Sequence, residues 1–243
     1  MIEPPLAPGH TRLRQAVIAA HDLEAVAGRL RREFGLGEPF ADEGVSWFGL
    51  RNAVFALGDT FLEVVSPAQP ATSAGRLLER RGADCGYMLM FQVPSLEPVV
   101  ARARGAGVRE VFSVSLEDMA EVHLHPADMR GAIVSVSEPR PPSAWRWGGP
   151  GWERRSAPLR VAGARIAVAD PEAVISRWGA ILGELPAGVE VVLDEGEPGL
   201  VEILLAEESE GRSVAEGSEG RSAPAAPRTP LDLGRVRVTV AAR

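Results

Sequence analysis

Lysine is absent from the 243 residues, so the strongly basic side chains are all arginine. That removes Schiff-base chemistry and the lysine of a phosphate-binding loop. Cysteine is nearly absent as well. A single Cys85 excludes an internal disulfide framework and a multi-cysteine zinc or iron–sulfur site. No apolar run approaches the ~18 residues of a membrane span. The opening Met1-Ile2-Glu3-Pro4-Pro5 has neither the basic nor the apolar region of a secretory signal, so a reducing cytoplasm is the expected setting and no membrane partner is expected. Positive charge is in deficit: 33 acids against 26 arginines leave a net charge of -7. Duplex binding needs a concentrated basic face, so no nucleic-acid partner is expected. The glycine-rich dinucleotide fingerprint, the GxSxG elbow and the HExxH zinc motif are all missing. What is present is ample core material, 45% hydrophobic residues, in a length that suits one large domain or two small ones.

A unit recurs along the chain. Ala16, Ile18, Ala19, Asp22, Glu24, Ala25, Val26 and Arg29 match Ala164, Ile166, Ala167, Asp170, Glu172, Ala173, Val174 and Arg177 at a constant offset. A weaker copy between them aligns Ser95, Leu96, Glu97, Val99 and Arg102. Each copy reads as strand, turn and helix. Asp22, Ser95 and Asp170 are N-cap types, Pro171 suits a first helical position, and Gly35, Gly105 or Gly107, and Gly183 are C-terminal stops. Short strands follow each helix: Asn52–Leu57 and Thr60–Val65 across a Gly58-Asp59 turn, with Val45–Leu50 beside them; Val108–Val114, Ala120–His125 and Ala132–Ser137; then Val189–Asp194, Leu200–Ala206 and Arg235–Ala241. The expected class is α+β: paired βαβββ modules forming a curved mixed sheet with helices outside, plus a third, degenerate module. The expected domains are 1–139 for the pair, a Trp/Pro/Gly-rich linker at 140–158, and 159–243 for the third module, with a mobile loop at 207–230. An odd count leaves one face to cover, either by packing on the first pair or by pairing with a second copy in a homodimer.

The pattern resembles the vicinal oxygen chelate superfamily, which includes glyoxalase I, bleomycin-resistance proteins, extradiol dioxygenases and methylmalonyl-CoA epimerase. The stretches that carry the resemblance are Leu13 to Ala25, Gly58 to Pro67, the opening Tyr87-Met88-Leu89-Met90 of the second module, and His123 to Pro139, where a His-Pro turn and a glycine precede the last strand. The resemblance implies a U-shaped cavity into which one residue from each of four strands sends a metal ligand. By position these are Gln15, Glu63, Met88 and Ser135. Hard divalent ions want nitrogen and oxygen donors, and a thioether with a neutral hydroxyl supplies them poorly. No cofactor is therefore expected.

Other candidates come from strand alternation. Phe61, Glu63 and Val65 share one face, which makes Glu63 a general base or polar anchor, or alternatively a strand carboxylate satisfied by Arg51 or another arginine. Glu121, His123 and His125 alternate with Val122 and Leu124. They read as assisting acid/base groups, as a displaced His-x-His metal site with Glu63, or as a turn cap at His125 with His123 on a wet face. Trp47, Phe48, Phe55, Tyr87, Met88 and Met90 are candidate apolar lining for an organic ligand, and Arg51 a candidate carboxylate clamp. Trp145, Trp147 and Trp152 read as interdomain packing more readily than as a ligand cage. The functional expectation is a small-molecule protein, lyase- or isomerase-like, without the family metal. The alternatives are a non-catalytic sequestering protein and a metal enzyme using the displaced histidines.

Overall fold

The computed structural model describes residues 10–196, 198–208 and 229–241. The first sheet has seven strands. They are β1 (Arg12–Ala19), β2 (Leu50–Leu57), β3 (Thr60–Pro67), β4 (Cys85–Gln92), β5 (Glu110–Ser115), β6 (Met119–Leu124) and β7 (Ile133–Pro139), in the order β2-β3-β1-β4-β7-β6-β5. The helices are α1 (Leu23–Phe34), α2 (Ser73–Arg81), α3 (Leu96–Gly105) and the single turn α4 (Pro126–Met129). The second sheet holds β8 (Leu159–Val168), β9 (Val189–Leu193), β10 (Gly199–Glu207), β11 (Leu231–Leu233) and β12 (Val236–Val240), with α5 (Pro171–Leu182) between β8 and β9. Among the described residues no helix is long and apolar enough to cross a membrane.

The repeated caps work as their residue types require. Asp22 accepts from the amide of Ala25 and Asp170 from that of Ala173, each at 3.0 Å. Gly35 closes α1 in the left-handed conformation, φ +66°, where a side chain would be strained. Ser95 makes no side-chain cap bond. Its place is supplemented by Glu138, whose carboxylate accepts from the amide of Leu96 at 2.8 Å.

The first sheet is made of two halves, β1 to β3 and β4 to β7, meeting where β1 runs antiparallel to β4. In each half the first strand pairs parallel with the last, β1 with β3 and β4 with β7. The strand expected over Val45–Leu50 does not form; only Leu50 is extended, as the first residue of β2. Asp42 accepts from the amide of Gly44, and Gly49 at φ +69° closes a 3-10 helix over Glu43–Phe48. The isolated bridges Phe40–Val54 and Leu57–Ala157 stand at the edge of β2. The helix α2 has no counterpart in the alternation-based reading. The loop expected to be mobile at 207–230 lies largely outside the described residues.

The second sheet repeats the middle five strands of the first. In the order β9-β8-β10-β12-β11, the pairs run parallel, antiparallel, parallel and antiparallel, as they do along β3-β1-β4-β7-β6. It packs on the back of the first sheet. Ala16, Ile18, Leu62, Val64, Leu89, Phe91, Val134 and Val136 share one apolar core with Ala164, Ile166, Leu200, Ile203, Leu205 and Val238, and α1, α3 and α5 contribute to the same core. The exposed backs are thereby buried within one chain.

The two sheets come closest at Gly86, where an added β-carbon would overlap the carbonyl oxygen and side chain of Leu200. Backbone cannot yield as a flexible side chain can. Gly86→Val is expected to destabilise the fold by about 2–3 kcal/mol in urea unfolding. Gly105→Ala, with open space at its β-carbon, is expected to be neutral or to gain up to about 1 kcal/mol.

Candidate functional site

The other face of the first sheet is concave and bounds a cavity of about 1290 Å³. Strand parity decides what enters it. Val17 and Gln15 on β1, Asn52 on β2, Glu63 and Val65 on β3, and Met88 and Met90 on β4 point inward, while Ala16, Ile18, Phe55 and Leu62 point into the inter-sheet core. Two proposed lining residues are thereby misplaced. Phe55 is a core residue beneath α1, and Arg51 lies on that same outer parity, where it pairs with Glu24 at 2.6 Å.

Glu63 is 6% exposed and among the described residues pairs with no arginine. Gln15 Nε2 donates to its Oε2 at 2.7 Å and Asn52 Nδ2 to its Oε1 at 2.6 Å. Each amide is oriented by a further bond. Trp145 Nε1 donates to Gln15 Oε1 at 2.7 Å, and the backbone amide of Asp42 donates to Asn52 Oδ1 at 2.9 Å. With both amide oxygens occupied by donors, both NH2 groups face the carboxylate. Burial pushes the Glu63 carboxyl up to about 7; the bonds from Asn52 and Gln15 hold it down, and the charges of Asp42 and Glu121 raise it further.

Trp145 is set by a buried arginine. Arg14, 0% exposed, donates to the carbonyls of Asp59 (2.8 Å), Pro142 (3.2 Å) and Ser143 (3.0 Å) and to Gln92 Oε1, and its guanidinium lies 5.0 Å from the centroid of the Trp145 ring. Burial, then the charge of Arg12, lowers the Arg14 pKa to about 9, so it stays charged near neutrality. Trp145, Trp147 and Trp152 form cavity wall rather than packing between domains. Trp145 stacks on Phe61 with centroids 6.1 Å apart, and Trp152 meets the same ring edge-on at 5.2 Å.

A second carboxylate faces the cavity from β6. Glu121, 2% exposed, accepts from Ser135 Oγ and shares a bond with His123 Nε2, both at 2.6 Å on Oε1. The imidazole of His123 stacks on Phe48 at 5.9 Å and tilts against Phe112 at 4.9 Å. Strand register relates this group to the first. Glu63 lies beside Val17 and Val54, and Ser135 beside Met90 and His123. Ser135 is thus the counterpart of Glu63, and Glu121 the counterpart of Asn52. The carboxylate of the second half sits one strand over, with a hydroxyl as its partner. His125 has the plainer role. Its Nδ1 accepts from the amide of Ala127 at 3.2 Å at the start of α4 and contacts Arg109.

Gln15, Glu63 and Met88 meet in the cavity, and Ser135 reaches it through Glu121. These residues do not fit a hard divalent ion. Gln15 Oε1 is engaged by Trp145, both Glu63 oxygens accept amide bonds, and the remaining donors are a thioether and a hydroxyl. The displaced histidine site fails too, because His123 is tied to Glu121 and His125 to the α4 cap. Among the described residues no three His, Cys, Asp or Glu side chains are grouped to hold a metal.

Tyr87 bonds Ser73 at the start of α2 at 2.7 Å, and burial raises its hydroxyl pKa. Trp47 is 83% exposed, one edge of the opening. Four of the five tryptophans and the only tyrosine line this one cavity. Asn52 and Trp145 are the site residues that sequence reasoning passed over. The signal for Asn52 was parity with Glu63 across the Gly58 turn; the signal for Trp145 was the tryptophan cluster it shares with Trp147 and Trp152, weighed as a ligand cage and set aside for packing.

Among solved structures, methylmalonyl-CoA epimerase from Mycobacterium tuberculosis is 22% identical, covering 56% of this chain and 93% of its own, with a TM-score of 0.48. Streptomyces coelicolor methylmalonyl-CoA epimerase in complex with 2-nitronate-propionyl-CoA is 21% identical, covering 54% and 99%, at 0.47. No curated protein matches the chain. The glyoxalase-like domain family matches residues 16–182, which hold almost the whole first sheet together with β8 and α5. The chain belongs to the glyoxalase-like domain family.

Proposed function

We propose that the protein binds a small organic molecule against the concave face of its first sheet and moves a proton on it without a metal. One observation carries the reading: Glu63, buried in a cavity wall, is held by two fixed amide donors and poised at about 7. A carboxylate of that strength can take a proton from a carbon acid near neutral pH and return it. In such a step the C–H bond breaks, its electron pair delocalises into an adjacent carbonyl or iminium group, and Glu63 holds the proton. His123, oriented by Glu121, is the second proton-transfer group and Ser135 a positioning residue. The buried indole N–H of Trp147 has no hydrogen-bond partner among the described residues, and it would meet an acceptor on the ligand.

The aromatic wall favours a second reading, sequestration without turnover. Deuterium wash-in separates the two. Aromatic ketones and thioesters that saturate the tryptophan fluorescence signal are incubated with protein in D2O and followed by NMR. Proton transfer predicts exchange at the carbon next to the carbonyl, lowered about 10²- to 10⁴-fold by Glu63→Gln while affinity stays within a few fold. Tight binding with no exchange in the wild type would leave sequestration standing.

A further inference from the structure

The charge around this cavity is one-sided. Glu63 and Glu121 are its deeply buried carboxylates, and among the described residues neither is bonded to an arginine. Asp42 and Glu153 add two acids to the lining. The lining arginines lie exposed at the rim and are occupied: Arg146 pairs with Asp118 at 3.0 Å, and Arg76 donates to the carbonyl of Ala71 at 2.6 Å. Among the described residues the lining histidines are engaged, His123 by Glu121 and His125 by the start of α4, and the buried Arg14 lies outside the lining, held by the carbonyls of Asp59, Pro142 and Ser143. An anionic ligand would set its charge beside two carboxylates in a low-dielectric hollow, where repulsion is weakly screened. A cation would offset the cost that burial imposes on them.

The apolar part of the lining points the same way. Tryptophan and tyrosine faces attract cations as well as flat apolar rings, and methionine adapts to either. Arg14 already makes this pairing with Trp145, a lining residue, from outside the lining.

We propose that the cavity takes a planar aromatic cation, a protonated aromatic amine or nitrogen heterocycle, with its rings among Trp147, Met88 and Met90 and its charge toward Glu63 and Glu121. The inference rests on the reading that this cavity is the binding site, and it narrows the ligand from organic molecules in general to cationic ones. An acidic substrate, such as a free organic acid, is disfavoured by the same geometry.

Three flat probes of like shape test it on the full chain: the aminoacridine cation, uncharged acridine, and the anthracene carboxylate anion. Tryptophan quenching is titrated at about pH 8, where Glu63 is ionised. The expected order is aminoacridine at least about tenfold tighter than acridine, with the carboxylate weakest. Glu63→Gln and Glu121→Gln should each remove most of the cation's advantage and leave acridine within about twofold. The wild-type series decides the matter even if a variant fails to fold. Equal affinities, or a preference for the anion, would overturn the charge assignment and leave the cavity reading intact. Variants that lose acridine as severely as the cation would also overturn it. If none of the three quenches, the binding reading fails together with this one.

Discussion

Arg14→Leu is expected to lower the folding free energy by about 3–5 kcal/mol, the range seen when one member of a buried polar set is removed. Two opposing effects are in play. Removing the guanidinium relieves the cost of a charge buried completely, a cost visible in its pKa of about 9. Against that, the carbonyls of Asp59, Pro142 and Ser143 and the Gln92 side chain lose their donor. Each buried acceptor left unmade costs about 1–3 kcal/mol. Gln92 Nε2 still donates to the Pro142 carbonyl at 2.7 Å, so that oxygen is partly spared. Loss of the remaining acceptors outweighs the relief. Arg14→Lys should recover less than half of the loss, because one ammonium cannot span the fork from Asp59 to Ser143. Urea unfolding followed by circular dichroism gives the comparison. A change within about 0.5 kcal/mol of the wild type would show that the segment around Trp145 is held by other contacts. The damage should reach the site as well, since Arg14 fixes the segment that places Trp145, Trp145 fixes the Gln15 amide, and that amide faces Glu63.

Much of the scaffold was legible because its signals are local. Asp22 and Asp170 sit where an N-cap must sit, and both cap. Gly58-Asp59 marks a hairpin turn that forms as read. The failures share a cause: alternation in a short apolar stretch does not distinguish a strand from a tight turn. Val45, Trp47 and Phe48 read as strand, yet Asp42 and Gly49 cap the segment from both ends and make Glu43–Phe48 a 3-10 helix. The finer plan of the second sheet was hidden differently. β10 begins a second half there as β4 does in the first sheet, but the chain between β10 and β11 carries no recognisable strand–helix copy.

The site was half legible for a related reason. Gln15, Glu63 and Met88 follow by position from the family resemblance, and strand parity carries them, with Met90, to one face. Arg51 and Phe55 were lost by one residue of parity, since Asn52 is the inward position on β2. Trp145 is a long-range partner, 130 residues from Gln15, and no periodicity joins such pairs. The second carboxylate was found at Glu121 by alternation, but its equivalence to Asn52 required strand register.

The pH dependence of stability offers the most direct check on Glu63. Its carboxyl is raised from the usual 4.5 to about 7, chiefly by burial. Between those values the folded protein keeps a proton that the unfolded chain has released, so the folded state binds more protons and stability falls as pH rises through that window. The stabilising contribution is complete below about 4.5 and gone above about 7. A shift of this size corresponds to about 3 kcal/mol. Glu63→Gln abolishes this dependence but adds a constant penalty, because the fixed amides of Gln15 and Asn52 present donors where the new NH2 must also donate. The informative quantity is therefore the slope, not the absolute stability. Urea midpoints at about pH 5 and about pH 8 should show the wild type losing about 3 kcal/mol relative to the variant, while the contributions common to both proteins largely cancel in the comparison. Parallel curves would mean that Glu63 ionises alike in the folded and unfolded chain. It would then be an ordinary carboxylate, and its place in the cavity wall would argue for anchoring a ligand rather than moving its protons.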